Sequence, residues 1–307
     1  MQKATAITTD ERPTWRRIVD FPLVAMLIAL LVAAAGITLG VVLTQNVIPP
    51  IRGVPRSIIF DIVTAIILVA LYKLVIRHLG EPKRDDLRLS GSAKPLALGV
   101  LGGLILFSAV VAVAAILGVY RITGEGDARD LIPALILSAI FPAISEEMIF
   151  RGILFRWIEE FGGSWLALLL TSAFFGAAHL FNPNATPIAA IGIAFEAGVM
   201  LGGAYMLTRS LWLAMGLHAA WNFAQGEIYD IPVSGTPVHG LVTARLSGPP
   251  LLTGNGFGLE ASVIAMVIAT LFGVWLVWRA AKDGQLVKPW WVRARSESLT
   301  ATASGKL

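Results

Sequence analysis

The 307-residue chain contains no cysteine. That absence excludes disulfides, thiolate metal sites and a cysteine nucleophile, and it leaves the redox compartment open. Charge is also scarce: Asp, Glu, Lys and Arg make up 14% of residues against 56% that are hydrophobic. Alternating apolar and polar strands of the kind that build a membrane barrel are missing. The apolar runs are Leu, Ala, Ile and Val in stretches of about 20 residues, the length that crosses a bilayer as a helix. A mean hydropathy of +0.75 agrees with a polytopic membrane protein. The basic balance, pI about 9.6, does not point to nucleic acid, because the basic residues sit in short flanks beside apolar runs, as membrane topology requires.

The pattern predicts an all-α protein of about eight transmembrane helices, at 21–44, 57–78, 96–120, 131–157, 164–182, 187–208, 210–226 and 259–281. The first run is too long for a cleavable signal, and many spans follow it. Lys3, Arg12, Arg16 and Arg17 precede the first span; Arg77, Lys83, Arg84, Arg88 and Lys94 fill the second connection; Arg279, Lys282, Lys288, Arg293 and Arg295 follow the last span. The opposite connections hold only Arg52, Arg56, Arg121, Arg129 and Arg245. The positive-inside rule then puts both termini in the cytoplasm, which an even number of spans permits. Segment 1–20 reads as a cytoplasmic lead, 21–126 as N-terminal transmembrane helices and 286–307 as a polar, disordered tail. The connection 227–258 is too rich in Gly and Pro for a helix and too apolar for a plain linker, and is expected to form an ordered cap on the outer face.

Ionisable groups at membrane depth are costly and are functional candidates by default. Away from helix ends they are Glu146, Glu147, Arg151, His179, Glu196 and His218, joined by Asn222. Helical spacing sorts them, since a helix returns to one face after three or four residues. Glu147 and Arg151 can pair along one face. Glu146 is turned about 100° away and needs a partner elsewhere. Phe175 and His179 are four apart on one span, as are His218 and Asn222 on another. Counted from the cytoplasmic ends, Glu146 and His179 lie at similar depths of about 21 and 22 Å. Pro142, one turn before the carboxylates, should kink its helix and free backbone carbonyls. Glu196 either reaches the site or meets a helix terminus, and Gly198 with Gly202 form a small-residue pattern suited to close helix packing.

Three motifs stand in order: EEMIFR at 146–151, FFGAAH ending at His179, and HAAWN at 218–222. Together they resemble the Glu-Glu-x-x-x-Arg, Phe-x-x-x-His and His-x-x-x-Asn motifs of the intramembrane CAAX proteases and bacteriocin-processing enzymes, relatives of the Ras-converting protease. The resemblance covers roughly 130–226. It implies eight helices around an intramembrane catalytic cavity, a catalytic unit over 127–285, and hydrolysis of a peptide bond in a membrane-associated protein or peptide substrate in contact with the lipid bilayer. Glu146 and His179 would activate water, and His218 and Asn222 would stabilise the oxyanion. Glu147, Arg151 and Phe175 would support them. The resemblance also implies a metalloprotease label: Glu146, His179 and His218 make an acceptable set for a divalent metal such as zinc, although the HExxH helix of zincins is absent and a metal-independent glutamate mechanism fits the same residues.

Competing signatures fail on context. "PVSG" has Pro232 where an intramembrane serine protease needs glycine. "GEGD" at 124–127 and "YD" at 229–230 resemble paired-aspartate protease motifs, but they occur in reverse order and Asp127 sits beside Arg129 and Asp130. A transporter would show an inverted repeat, whereas the polar groups gather in one half. A non-catalytic scaffold or transporter-like binding protein with the same fold is the alternative reading.

Overall fold

The computed structural model describes residues 12–295, apart from 53, 82, 128 and 130. The start of the 1–20 segment and the tail beyond 295 lie outside the described residues. Long apolar helices dominate. Helix α1 spans Pro22–Val47, α2 Arg56–His78, α3 Ala93–Ile116, α6 Pro187–Thr208 and α8 Val263–Lys282. Between α3 and α6, the continuous helical stretch Leu131–Phe181 is broken at Gly163, whose φ of 84° and ψ of 169° no helix accommodates. We number its halves α4 (131–162) and α5 (164–181). The last of the set, α7, spans Leu211–Phe223 and continues as a π turn, Ala224–Ile228.

Among the described residues six helices are long and apolar enough to cross a membrane, where eight were expected. The difference has two sources. Leu131–Phe181 is one stretch by hydrogen bonding although Gly163 folds it. Helix α7 has only 13 regular residues, about 20 Å at 1.5 Å per residue, short of a hydrocarbon core of about 30 Å.

Local chemistry explains several boundaries. Thr186 accepts a hydrogen bond from Ala189 N ahead of Pro187; Ser210 caps α7 through Trp212 N, and Ser262 caps α8 through Ala265 N. Such side-chain oxygens satisfy donors that a helix start leaves orphaned. Arg209, left-handed at φ 52°, ends α6 and turns the chain directly into α7. Helix α7 lies against α3 with almost no separation. A methyl on Gly99 would stand 2.5 Å from Leu213 O, and one on Gly103 2.5 Å from Leu217 O. Only glycine permits that approach, which fixes the rotation of α7 and hence where His218 points. Gly198 and Gly202 pack likewise on Ser172 and Leu168 of α5.

The bundle has two distinct ends. At the first, Asp86 is buried and accepts from Arg84 (2.5 Å), Arg156 (2.9 Å) and Tyr205 (2.8 Å), which ties the α2–α3 connection to α4 and α6. Arg209 joins the same end by pairing with Glu159. Residues 286–295, expected to be the start of a loose tail, are held there: Val287 N donates to Ser164 Oγ at 2.8 Å, and Arg293 reaches Glu160 at 2.9 Å. We call this the basic end. At the other, Tyr120–Glu125 (β1) pairs antiparallel with Val242–Leu246 (β2), from Tyr120 opposite Leu246 to Glu125 opposite Val242. This two-stranded ribbon was not foreseen. The 227–258 connection supplies β2 and is ordered throughout, with Asp230 accepting from Gly240 N and Ala244 N.

Candidate active site

Pro142 builds the first wall. It has no N–H to give to the carbonyl four residues back, that of Ser138, and the helix around it loosens into π turns at Leu135–Ile140 and Met148–Phe155. Asn222 on α7 takes up the orphaned acceptor: its Nδ2 donates to Ser138 O at 3.0 Å. One helix defect thus fixes the amide that ends the third motif.

The two carboxylates then divide, though not as their 100° offset suggested. Glu147 is fully buried, and its Oε1 accepts from Arg151 at 2.8 Å and from His218 Nδ1 at 3.0 Å. Arg151, equally buried, also donates to the carbonyls of Ala197 and Gly198 and lies 4.7 Å over the Phe175 ring. Glu146 does not find a separate neighbour. It faces the same imidazole from the other side, with Oε2 4.0 Å from His218 Nε2. That oxygen is buried without a hydrogen-bond partner among the described residues.

His179 closes α5 and turns its Nδ1 back to Phe175 O at 2.7 Å. A carbonyl can only accept, so Nδ1 carries a proton, and in the neutral ring Nε2 keeps its lone pair. The Phe175 ring packs against both imidazoles, with centroids 4.7 Å from His179 and 6.2 Å from His218. Glu146, His179, His218 and Asn222 line one cavity of about 500 Å³ together with Ser138, Pro142 and the 233–239 stretch.

Residues 128–224 match the family model of the Rce1-like type II CAAX prenyl endopeptidases. The chain carries an Rce1-like domain. The match supports, at family level, an intramembrane CAAX-type endopeptidase, and the apolar helices support a multi-pass membrane protein. No curated protein and no solved structure matches the chain. The Rce1-like domain contains all three motifs and ends before the 227–258 connection and α8.

Just outside the Rce1-like domain, Glu260 was missed by sequence reasoning because it reads as the apolar edge of the last span. It is buried behind the histidines, where it lines a small enclosed space with Glu196, His179, His218, Trp221 and Ser234. Its carboxylate accepts a hydrogen bond from Ser234 N. Glu196 is 1% exposed and has one oxygen without a partner among the described residues. It lines this inner space.

The zinc set was tested on the same geometry. Both imidazoles have Nδ1 engaged, on Phe175 O and on Glu147, the arrangement that orients a metal-binding histidine. The donor types suit zinc, but among the described residues no three His, Asp or Glu side chains come close enough together to hold one ion. As placed, Glu146, His179 and His218 do not fit a metal.

Proposed function

We propose that this protein is an intramembrane endopeptidase in which Glu146 and His179 activate water and His218 with Asn222 receives the oxyanion. The observation that carries the reading is Glu146 Oε2: a buried carboxylate oxygen with no hydrogen-bond partner among the described residues, on a side chain that lines a cavity with two imidazoles and an amide. Such an oxygen is costly to leave bare in a membrane unless it serves a substrate or a water.

The chemistry follows from the hydrogen bonds. His179 Nε2 accepts a hydrogen bond from the water while Glu146 takes the water's other proton as the oxygen adds to the scissile carbonyl carbon, and the hydroxyl proton left on the intermediate passes to His179 Nε2 as it collapses. The tetrahedral oxyanion accepts from Asn222 Nδ2, whose first hydrogen stays on Ser138 O. His218 Nδ1 is committed to Glu147, so its Nε2 contributes a donor when the ring is protonated. The C–N bond then breaks as the proton held by Glu146 passes to the leaving amine, giving one carboxylate and one amine terminus. No step is routed through a metal.

The test compares membrane peptides from cells carrying the wild type or Glu146→Gln. General-base removal typically costs about 10²- to 10⁴-fold, so fragments present with the wild type should vanish with the variant while its unfolding midpoint stays unchanged. Equal fragments from both would overturn the reading. Cleavage is expected to survive chelation; loss that zinc alone restores would move Glu146 and the histidines from acid–base work to metal ligation.

A further inference from the structure

Among the described residues, the lining of the cavity that holds Glu146 extends from the carboxylate toward one end of the bundle. Its outer lining comes from Pro133, Ala134 and Leu137 in the first turns of α4, and from Thr236, Pro237 and His239 after α7. All of these lie toward the ribbon end: Asp127 N donates to Gly240 O, and Gly126 N to Leu241 O, which joins the start of α4 to the same connection. Glu146 stands 15 residues along α4 from Leu131, about 22 Å at 1.5 Å per residue. In the opposite direction the interior is filled. Arg151, Phe155, Trp157 and Tyr205 are all less than 2% exposed, so a substrate cannot reach the site from the basic end without unpacking them.

The two ends differ in charge. The basic end carries Arg16 and Arg17, the last-turn residues Arg77, Arg279 and Lys282, Arg88 in the α2–α3 connection and Lys94 in the first turn of α3. The ribbon end, across its four connections and the first residue of α2, carries Arg52, Arg56, Arg121, Arg129 and Arg245. An excess of Lys and Arg marks the cytoplasmic side of membrane proteins, and these connections are short enough for the rule to apply.

We infer that the catalytic cavity opens on the non-cytoplasmic face, and that its substrates are membrane proteins or peptides whose scissile bond lies at, or just within, the non-cytoplasmic end of a transmembrane segment. A lipidated C-terminus displayed in the cytoplasm meets the closed, basic end instead. The substrate class rests on the endopeptidase reading; the direction of opening does not.

The absence of cysteine makes the direction measurable without background. Thr236 and His239 are exposed at the cavity mouth, and Ser90 is exposed at the basic end. Full-length Thr236→Cys, His239→Cys and Ser90→Cys would each be treated with a membrane-impermeant maleimide in right-side-out and in inverted membrane vesicles. The expected result is labelling of positions 236 and 239 in right-side-out vesicles alone and of position 90 in inverted vesicles alone. The reverse pattern, or all three labelled from one side, overturns the inference. A second arm offers the wild type two reporter segments of one sequence, inserted in opposite orientations. Cleavage at the non-cytoplasmic end supports the substrate class, and cleavage only at the cytoplasmic end overturns it. Loss of cleavage of neither reporter in Glu146→Gln, with the labelling pattern as expected, would sink the endopeptidase reading and leave the direction of opening standing.

Discussion

Removing Arg151 separates what holds the site together from what makes it react. Arg151 and Glu147 are both 0% exposed and meet at 2.8 Å. Their mutual attraction offsets desolvation that neither could bear alone. Arg151→Met keeps much of the side-chain volume but leaves Glu147 as a buried carboxylate facing only His218, and it strips donors from the carbonyls of Ala197 and Gly198. Breaking a buried pair in this way costs about 3 to 5 kcal/mol, whereas replacing both members by apolar residues is often neutral or better. The variant should therefore unfold at a clearly lower denaturant concentration in detergent, and Glu147→Leu with Arg151→Met should recover most of the loss. Activity should not follow stability back. In the double variant His218 Nδ1 has lost its acceptor, so the ring is free to turn away from Glu146 and Asn222. Unfolding midpoints and cleavage rates of the single and double variants test both halves. An Arg151→Met protein as stable as the wild type would refute the ion-pair reasoning; a fully active double variant would refute the claim that Glu147 orients His218.

Two other substitutions read different parts of the structure. Asn222→Ala should lower the cleavage rate by about 10²- to 10³-fold, the usual effect of losing one oxyanion donor, with only a modest loss of stability from Ser138 O, and a rate close to the wild type in a peptide assay would remove it from the oxyanion role. Asp86→Ala leaves Arg156, 3% exposed, without its carboxylate and should destabilise the fold by about 3 to 5 kcal/mol, seen as a lowered unfolding midpoint while the residual folded fraction still cleaves.

How much of this was legible depends on the range of the interaction. The i,i+4 pairs were: Glu147 with Arg151, Phe175 with His179, and His218 with Asn222 each follow from helical spacing on one element. The freed carbonyl was half legible. Pro142 announced that some acceptor near the carboxylates would be orphaned, but only packing shows that Asn222, 84 residues from Ser138, collects it. The shared imidazole was not legible. Glu146 and Glu147 point about 100° apart, and that both border His218 depends on a π turn in α4 and on how glycines let α7 settle against α3. Asp86 reads in sequence as one more charge in a polar connection, and nothing local tells that it is buried under Arg84, Arg156 and Tyr205.

Composition and periodicity by themselves determined that this chain is helical and membrane-embedded, and that its chemistry resides in a few polar groups between 146 and 222, because a bilayer admits little backbone but helix and tolerates few charges without cause. The tertiary structure alone decided which imidazole nitrogen faces which carboxylate, that residues 120–125 pair with 242–246, and which residues line the cavity. Those outcomes depend on helix rotation and on contacts between residues 71 to 126 positions apart, and a periodic pattern along a single helix carries no information about either.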